Sequence, residues 1–402
     1  MTVDTRSSRR SGPDAIIVGA GAVGAALALA WLRQGRRIAL IEKRRPPAWR
    51  EEVPDLRVFA LAPDVIALLG DLGVWPAIRA ARAQPYRDMQ VFDAGGGQPL
   101  HFSADALARP MLGAIVENGL IVDRLWQALE AQPGLRLHCP AEVVELSQDE
   151  AGVSVILDDG TRLSAPLLVA ADGADSRARE LAGIEVDRVD YGQRGVVGYI
   201  DCGQPHGETA WQRFLPSGPL AVLPFSAAER GAHRASIVWT LPDEEATRVL
   251  ALDDDAFGNE LTRAFDRRLG ALRPLSPRAA FPLRKQLARR YRNGRVLLAG
   301  DAAHAVHPLA GQGVNLGLRD VRELSELLRD VDARSTRFDA RLARYARRRR
   351  SDSLIAANTF HAINRLFSND AVLPTLLRGP ALGLVGRVAP LRDFFARKAV
   401  EG

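Results

Sequence analysis

Two cysteines in 402 residues, Cys139 and Cys202, stand far apart with no CxxC and no metal-type spacing. That excludes a disulfide framework, a zinc site and the paired thiols of a disulfide reductase, and it fits a reducing compartment. Zinc-finger, RRM-like and KH-like patterns are also absent. The net charge of +6 is a modest surplus of 54 basic over 48 acidic residues. It gathers in the tail at Arg6, Arg9 and Arg10 and in the run Arg341, Arg344 and Arg347 to Arg350, and no nucleic-acid partner is expected. An uninterrupted membrane span is lacking too. The uncharged run from Ala15 to Leu32 follows Arg9-Arg10, but Asp14 separates the two, and Gly19, Gly21 and Gly24 interrupt the run at dinucleotide spacing. A cytoplasmic chain is the expectation.

That same run carries the first motif. Ala15-Ile-Ile-Val18 reads as a buried strand, Gly19-Ala-Gly-Ala-Val-Gly24 as a tight turn, and Ala25 to Gln34 as a helix. A second strand, Arg37 to Ile41, ends on Glu42. A GxGxxG with a strand before it, a helix after it and an acid about twenty residues on has a physical purpose. Gly19 makes the turn, Gly21 admits a pyrophosphate to the helix N-terminus, and Gly24 lets the helix pack on the strand. Glu42 accepts from a ribose hydroxyl. The fingerprint alone leaves FAD and NAD open, because both carry an ADP half. It occurs once, since Gly95-Gly-Gly97 reads as a hairpin turn with no helix after it.

Two later stretches narrow the choice. Pro166 to Ala171 is an apolar strand followed by Asp172-Gly173-Ala-Asp-Ser176-Arg-Ala-Arg179. Arg295 to Ala299 is another, followed by Gly300-Asp301-Ala-Ala-His304, Pro308 and Gly311-Gln312-Gly313-Val314-Asn315, with Asp320 beyond. Glycines at the carboxyl end of a strand let backbone N–H groups approach a ligand, and Asp301 supplies a fixed acceptor suited to a chain of hydroxyls. His304 and His307, without further ligands nearby, do not make a metal site.

Taken together, these stretches resemble the single-component FAD-dependent aromatic hydroxylases, with the ubiquinone-biosynthesis hydroxylases of the 2-polyprenyl-6-methoxyphenol hydroxylase type nearest. Ser217-Gly-Pro-Leu-Ala-Val-Leu-Pro224 and Ser236-Ile-Val-Trp239 add to that likeness. The resemblance implies an α/β fold of the para-hydroxybenzoate hydroxylase type: a Rossmann-like FAD domain with an inserted, mostly antiparallel substrate sheet, then C-terminal helices. The expected boundaries are a disordered tail over 1–13, an FAD-binding part over 14–185 and 295–335, a substrate part over 186–294 with strands such as Arg194 to Cys202 and a helix over Asp255 to Arg268, and a helical region over 336–402.

By the same resemblance, the cofactor contacts are Gly19, Gly21, Gly24, Glu42, Arg57, Asp172, Gly173, Asp301, Gly311, Gln312, Gly313, Val314 and Asn315, and the Pro308 backbone lies near the oxygen-reactive face of the flavin. Glu117-Asn118 resembles a segment that enters a cofactor-contacting helix, but Gly119 stands where many relatives carry arginine, so it is not counted. The implied activity is hydroxylation of a polyprenylated phenol with O2 and NAD(P)H, with no catalytic base identified. The tail of such a substrate implies peripheral contact with the inner membrane face or a ubiquinone-biosynthesis assembly. Leu373 to Phe395 and the Arg344 to Arg350 run are the candidate surfaces. The alternatives are an FAD hydroxylase of a soluble aromatic and a flavin-free nucleotide- or DNA-binding protein.

Overall fold

The computed structural model describes residues 12–94, 99–225, 233–305, 313–333 and 335–367. The tail up to residue 11, the turn at Gly95 to Gly97 and the stretch Leu373 to Phe395 lie outside the described residues.

Five parallel strands form the centre of the first sheet, in the spatial order Val296–Leu298, Leu168–Ala170, Ala15–Val18, Ile38–Ile41, Leu135–His138. The three central strands and Val296–Leu298 are buried throughout, because elements cover both faces, which is why they read as continuous apolar runs. Chain order reverses beside Ala15–Val18: the second and third strands lie on one side of it and the fourth and fifth on the other. In open α/β sheets such a reversal opens a crevice at the strands' carboxyl ends.

The helix Ala22–Arg33 is buried from Ala22 to Leu32 with one half-buried exception at Val23. A helix apolar all round must be enclosed, and this one packs with residues of Asn118–Glu130 and Gly313–Leu327 in one core. Leu27 and Leu29 have no exposed surface and each contributes about 1.5–3 kcal/mol of burial. The enclosure explains why the stretch resembles a membrane span in hydropathy. The opposite sheet face meets a three-stranded antiparallel sheet, Val143–Gln148, Val153–Leu157 and Arg162–Ala165.

The second, nine-stranded sheet has the strand Val186–Cys202 as its spine, antiparallel to Ala279–Ala288 on one side and to Arg234–Pro242 on the other. Side chains alternate along it. Val196, Ile200 and Cys202 join a core with Ala246, Val249, Phe257 and Leu261 of the helices Asp243–Leu250 and Asp254–Ala264. Tyr199, on the other face, packs with Ala221, Leu223 and Phe225 against Val58, Ala60 and Ile115 of the nucleotide side. Several details depart from the sequence reading. The spine begins at Val186 rather than Arg194, and Asp243–Leu250 is an additional helix. The second helix stops at Ala264 instead of reaching Arg268, because Asp266 and Arg267 adopt left-handed φ of 58° and 53°. Strands Asp88–Asp93 and Leu100–Ser103, from inside the span 14–185, pair into this sheet, the former running parallel to Thr209–Leu215.

Candidate functional site

The three turns singled out in the sequence emerge together at the carboxyl ends of adjacent parallel strands: Gly19 after Ala15–Val18, Asp172 after Leu168–Ala170, and Gly300 after Val296–Leu298. The fingerprint turn leaves no room for side chains at two of its glycines. Gly19 has φ +94°, and a Cβ on it would lie 2.4 Å from the Ala171 carbonyl oxygen; one on Gly24 would lie 1.9 Å from the Gly19 carbonyl oxygen. Gly21 differs. Among the described residues nothing lies within 4 Å of its Cβ position, at the N-terminus of Ala22–Arg33. Glu42 reaches back to this turn, accepting the Ala20 N–H at 2.6 Å and the Arg44 N–H at 3.0 Å.

At the second turn, Gly173 has φ +87°. The Asp172 carboxylate accepts the Ser176 hydroxyl and the Ala178 N–H at 3.0 Å, so it caps the helix Arg177–Leu181. Burial raises its pKa against those hydrogen bonds. Arg179, fully enclosed, donates to the carbonyls of Ala174 at 2.8 Å and Ala302 at 3.1 Å and so ties the second turn to the third.

At the third turn, Gly300 has φ +59°, and a Cβ there would meet Val23 of the fingerprint helix at 3.1 Å. Asp301 has an exposed side chain with no hydrogen-bond partner among the described residues. Its surface is open while protein crowds around it, the setting of a cleft floor, and that loss of water raises its pKa, with His304 and Arg57 opposing. Arg57 thus lies within electrostatic reach of Asp301. Its guanidinium has no hydrogen-bond partner among the described residues.

Asp320 holds this turn in place. It is fully buried and accepts the Gly300 N–H at 2.8 Å, His304 Nε2 at 2.7 Å and Arg349 Nε at 2.5 Å. Burial would raise its pKa, but His304 and Arg349 together hold it below the ordinary carboxyl value. The helix Gly313–Leu327 begins beside the turn, and no described residue lies within 4 Å of a Cβ built on Gly313. Its Asn315 side chain is committed to protein: Oδ1 accepts the Ala62 N–H at 3.0 Å and Nδ2 donates to the Ala60 carbonyl at 2.8 Å. The side chain that looked like a ligand contact fastens the helix to the strand Val58–Leu61, and Gly313, Val314 and Asn315 retain their first-turn N–H groups for an acceptor. Pro308, His307, Gly311 and Gln312 lie outside the described residues. Among the described residues, no group of three or more His, Cys, Asp or Glu is arranged to hold a metal.

The residues fit a dinucleotide flavin. Gly21, its Cβ position clear of described residues, sits on a helix N-terminus where a pyrophosphate is favoured, and the uncommitted Asp301 carboxylate suits a polyol chain. Two buried braces have little sequence signal: Arg349, which holds the third turn through Asp320, and the ion pair of Arg82 with Glu117 at 3.4 Å. The available signal was weak: Glu117 is an acid ending the apolar strand Gly113–Glu117, and Arg349 is one arginine among four.

A Rossmann-type sheet with three glycine-bearing turns around its switch point, joined to a large mixed sheet, has the architecture of a dinucleotide-binding flavoprotein with a second layer. The chain belongs to the FAD binding domain family, whose model matches residues 13–356. It is 39% identical over 391 residues to the ubiquinone hydroxylase UbiL of Rhodospirillum rubrum, covering 96% of this chain and 89% of that one. It is 36% identical over 375 residues to the 3-demethoxyubiquinol 3-hydroxylase of Escherichia coli, covering 92% and 93%. Among solved structures, PqsL of Pseudomonas aeruginosa superimposes with a TM-score of 0.76 at 23% identity over 92% of this chain and 99% of that one. HpxO of Klebsiella pneumoniae, complexed with FAD and uric acid, gives 0.73 at 20% identity over 96% and 97%. At such identities, these structures establish the fold alone.

Proposed function

We propose that this chain is an FAD-dependent monooxygenase that hydroxylates the ring of a polyprenylated phenol in ubiquinone biosynthesis, with O2 and NAD(P)H as co-substrates. The observation that carries the reading is near-full-length identity to two ubiquinone-pathway hydroxylases. We assign FAD binding to 14–185 and 295–335, and the substrate side to 186–294 with Asp88–Asp93 and Leu100–Ser103 added.

In this assignment Gly19, Gly21 and Gly24 receive the pyrophosphate, Glu42 a ribose hydroxyl and Asp301 the polyol chain. Arg57 and the backbone of Gly173 line the same crevice, and the first turn of Gly313–Leu327 offers N–H groups to the ring system. FAD, when bound, supplies the redox chemistry that activates O2 for transfer of one atom to the ring. The chain's own residues bind, orient and exclude water. The face bearing Tyr199, Ala221, Leu223 and Phe225 is apolar and turned toward the nucleotide side, which suits an alkylated phenol and a site from which water must be kept.

The isoprenoid tail partitions into membrane, and we place the chain in the cytoplasm in peripheral contact with the inner membrane face. Among the described residues no helix is long and apolar enough to cross a membrane. Arg344, Arg347 and Arg350 are exposed on the helix Thr336–Phe367, followed by exposed Leu354 and Ile355, a combination that favours anionic lipid surfaces. Two members of the arginine run are occupied elsewhere. Arg349 is buried on Asp320, and Arg348 pairs with Glu323 at 3.2 Å.

The decisive experiment is deletion of the gene followed by mass spectrometry of quinone precursors. Accumulation of a polyprenylated phenol lacking one ring hydroxyl is expected, and its structure identifies the ring position. An unchanged quinone profile would overturn the reading.

A further inference from the structure

Apart from the three turns, a buried ion pair is still without a purpose. Glu117, the last residue of Gly113–Glu117, has no exposed surface, and Arg82, the last residue of the helix Trp75–Arg82, is 8% exposed. Removing such charges from water costs several kcal/mol per ion, so a buried pair is a poor device for stability alone. The Glu117 carboxylate accepts Trp49 Nε1 at 2.9 Å and the Asp55 N–H at 3.0 Å, and faces Arg82 Nη1 with both oxygens at 3.4 Å. Arg82 Nη2 donates to the Glu51 carbonyl at 2.6 Å. Its guanidinium lies over the Trp49 ring at 5.2 Å and the Phe225 ring at 5.8 Å. The irregular segment 49–55 is thereby fastened to a strand end and to Phe225, which follows the interior strand Gly218–Pro224 of the large sheet.

The fastening continues to Arg57. Asp55 accepts the Arg57 N–H at 2.9 Å and the Gly119 N–H at 2.8 Å, while Tyr199 in the sheet's spine donates its hydroxyl to the Asp55 carbonyl at 2.8 Å. The Arg57 carbonyl accepts the Asn118 N–H at 2.8 Å. One residue later begins the strand Val58–Leu61, which Asn315 ties to the helix at the third turn. Arg57 is therefore fixed at its backbone on both sides, while its guanidinium has no hydrogen-bond partner among the described residues.

We propose that Glu117, braced by Arg82, is a positioning residue that sets the backbone of segment 49–57 so that Arg57 presents its guanidinium to the cofactor at the Gly300–Asp301 turn. The proposal rests on the reading of Arg57 as a cofactor contact. A planar donor fork is useful only when its base is held still. The Glu117 carboxylate supplies that stillness through the Asp55 N–H, two residues from Arg57, and Arg82 supplies the buried counter-charge at 3.4 Å.

The test is a double-mutant cycle read as FAD affinity of the apoprotein, by flavin fluorescence. Arg57→Ala is expected to weaken FAD about tenfold, the loss of one charge-assisted hydrogen bond. Glu117→Gln should weaken it by a similar factor when Arg57 is present and by less than about twofold in the Arg57→Ala background. Trp49→Phe, which leaves the ion pair intact and removes one donor to Glu117, should show the same dependence on background and serves if Glu117→Gln fails to fold. Equal losses in both backgrounds mean that Glu117 merely stabilises the fold, and the proposal fails. Unchanged affinity in Arg57→Ala overturns the reading of Arg57, and the proposal with it.

Discussion

Asp301 and the fingerprint glycines separate what the fold needs from what a ligand needs. Asp301→Ala removes a charged acceptor that no described protein group uses. FAD affinity is expected to fall about 10- to 100-fold, at about 1.5–3 kcal/mol for a hydrogen bond to a charged group, with no fall in the melting temperature of the apoprotein. Because Asp301 titrates above the ordinary carboxyl range, chiefly through loss of water, wild-type FAD affinity should weaken on acidification before an ordinary aspartate would protonate. Asp301→Asn should flatten that dependence in a fluorescence titration across pH. The glycines form a second contrast. A methyl group at Gly24 would collide with the Gly19 carbonyl, whereas at Gly21 it meets no described residue. Gly24→Ala is expected to destabilise the apoprotein by about 1–3 kcal/mol through overpacking. Gly21→Ala should leave urea denaturation unchanged and weaken FAD alone.

Among the elements, the helices Gly313–Leu327 and Thr336–Phe367 are pinned to the third turn through Asp320. The Asp320 carboxylate is held low by His304 and Arg349, so its stabilisation is complete above the ordinary value of 3.8 and lost as pH falls through its depressed folded value. Asp301 has the opposite sign: its charged form costs stability near neutrality, and acidification relieves that cost. Asp320→Asn leaves buried Arg349 with only the half-exposed Asp352 as counter-charge and is expected to cost about 3 kcal/mol in urea denaturation. The strands and turns at these places were legible because local patterns fixed them: Ala15 to Glu42 carries glycines, apolar runs and an acid at fixed spacing. The braces were not, since Arg349 looks like its neighbours until the helix phase turns it inward, and Glu117 and Arg82 meet across 35 residues. Asn315 was read as a ligand contact, but only its tertiary partners Ala60 and Ala62 reveal that its amide is already in use.

Over the whole molecule, the proposed contact with a membrane surface rests on the exposed Arg344, Arg347 and Arg350. Charge reversal at Arg344, Arg347 and Arg350, leaving Arg348 and Arg349 in their ion pairs, is expected to abolish salt-sensitive flotation with anionic vesicles while preserving FAD binding. Flotation unchanged by the reversal would assign substrate delivery to another surface. A second layer was visible in strand-like runs such as Arg194 to Cys202 that follow the nucleotide-binding stretches. The membership of the large sheet was not, because the pairing of Asp88–Asp93 with Thr209–Leu215 joins segments more than a hundred residues apart and leaves no local trace.

That parallel pairing also constrains how such an enzyme can be rebuilt. Exchanging 186–294 for the equivalent stretch of a relative would set one parent's Thr209–Leu215 against the other parent's Asp88–Asp93, with Trp211 facing Gln90 and Phe214 facing Asp93 across the graft. The large sheet therefore cannot be transplanted as one contiguous cassette. A working chimaera has to take the hairpin of 88–103 together with the later segment, and any lineage that acquired a new substrate by recombination had to move both at once or repair the seam afterwards.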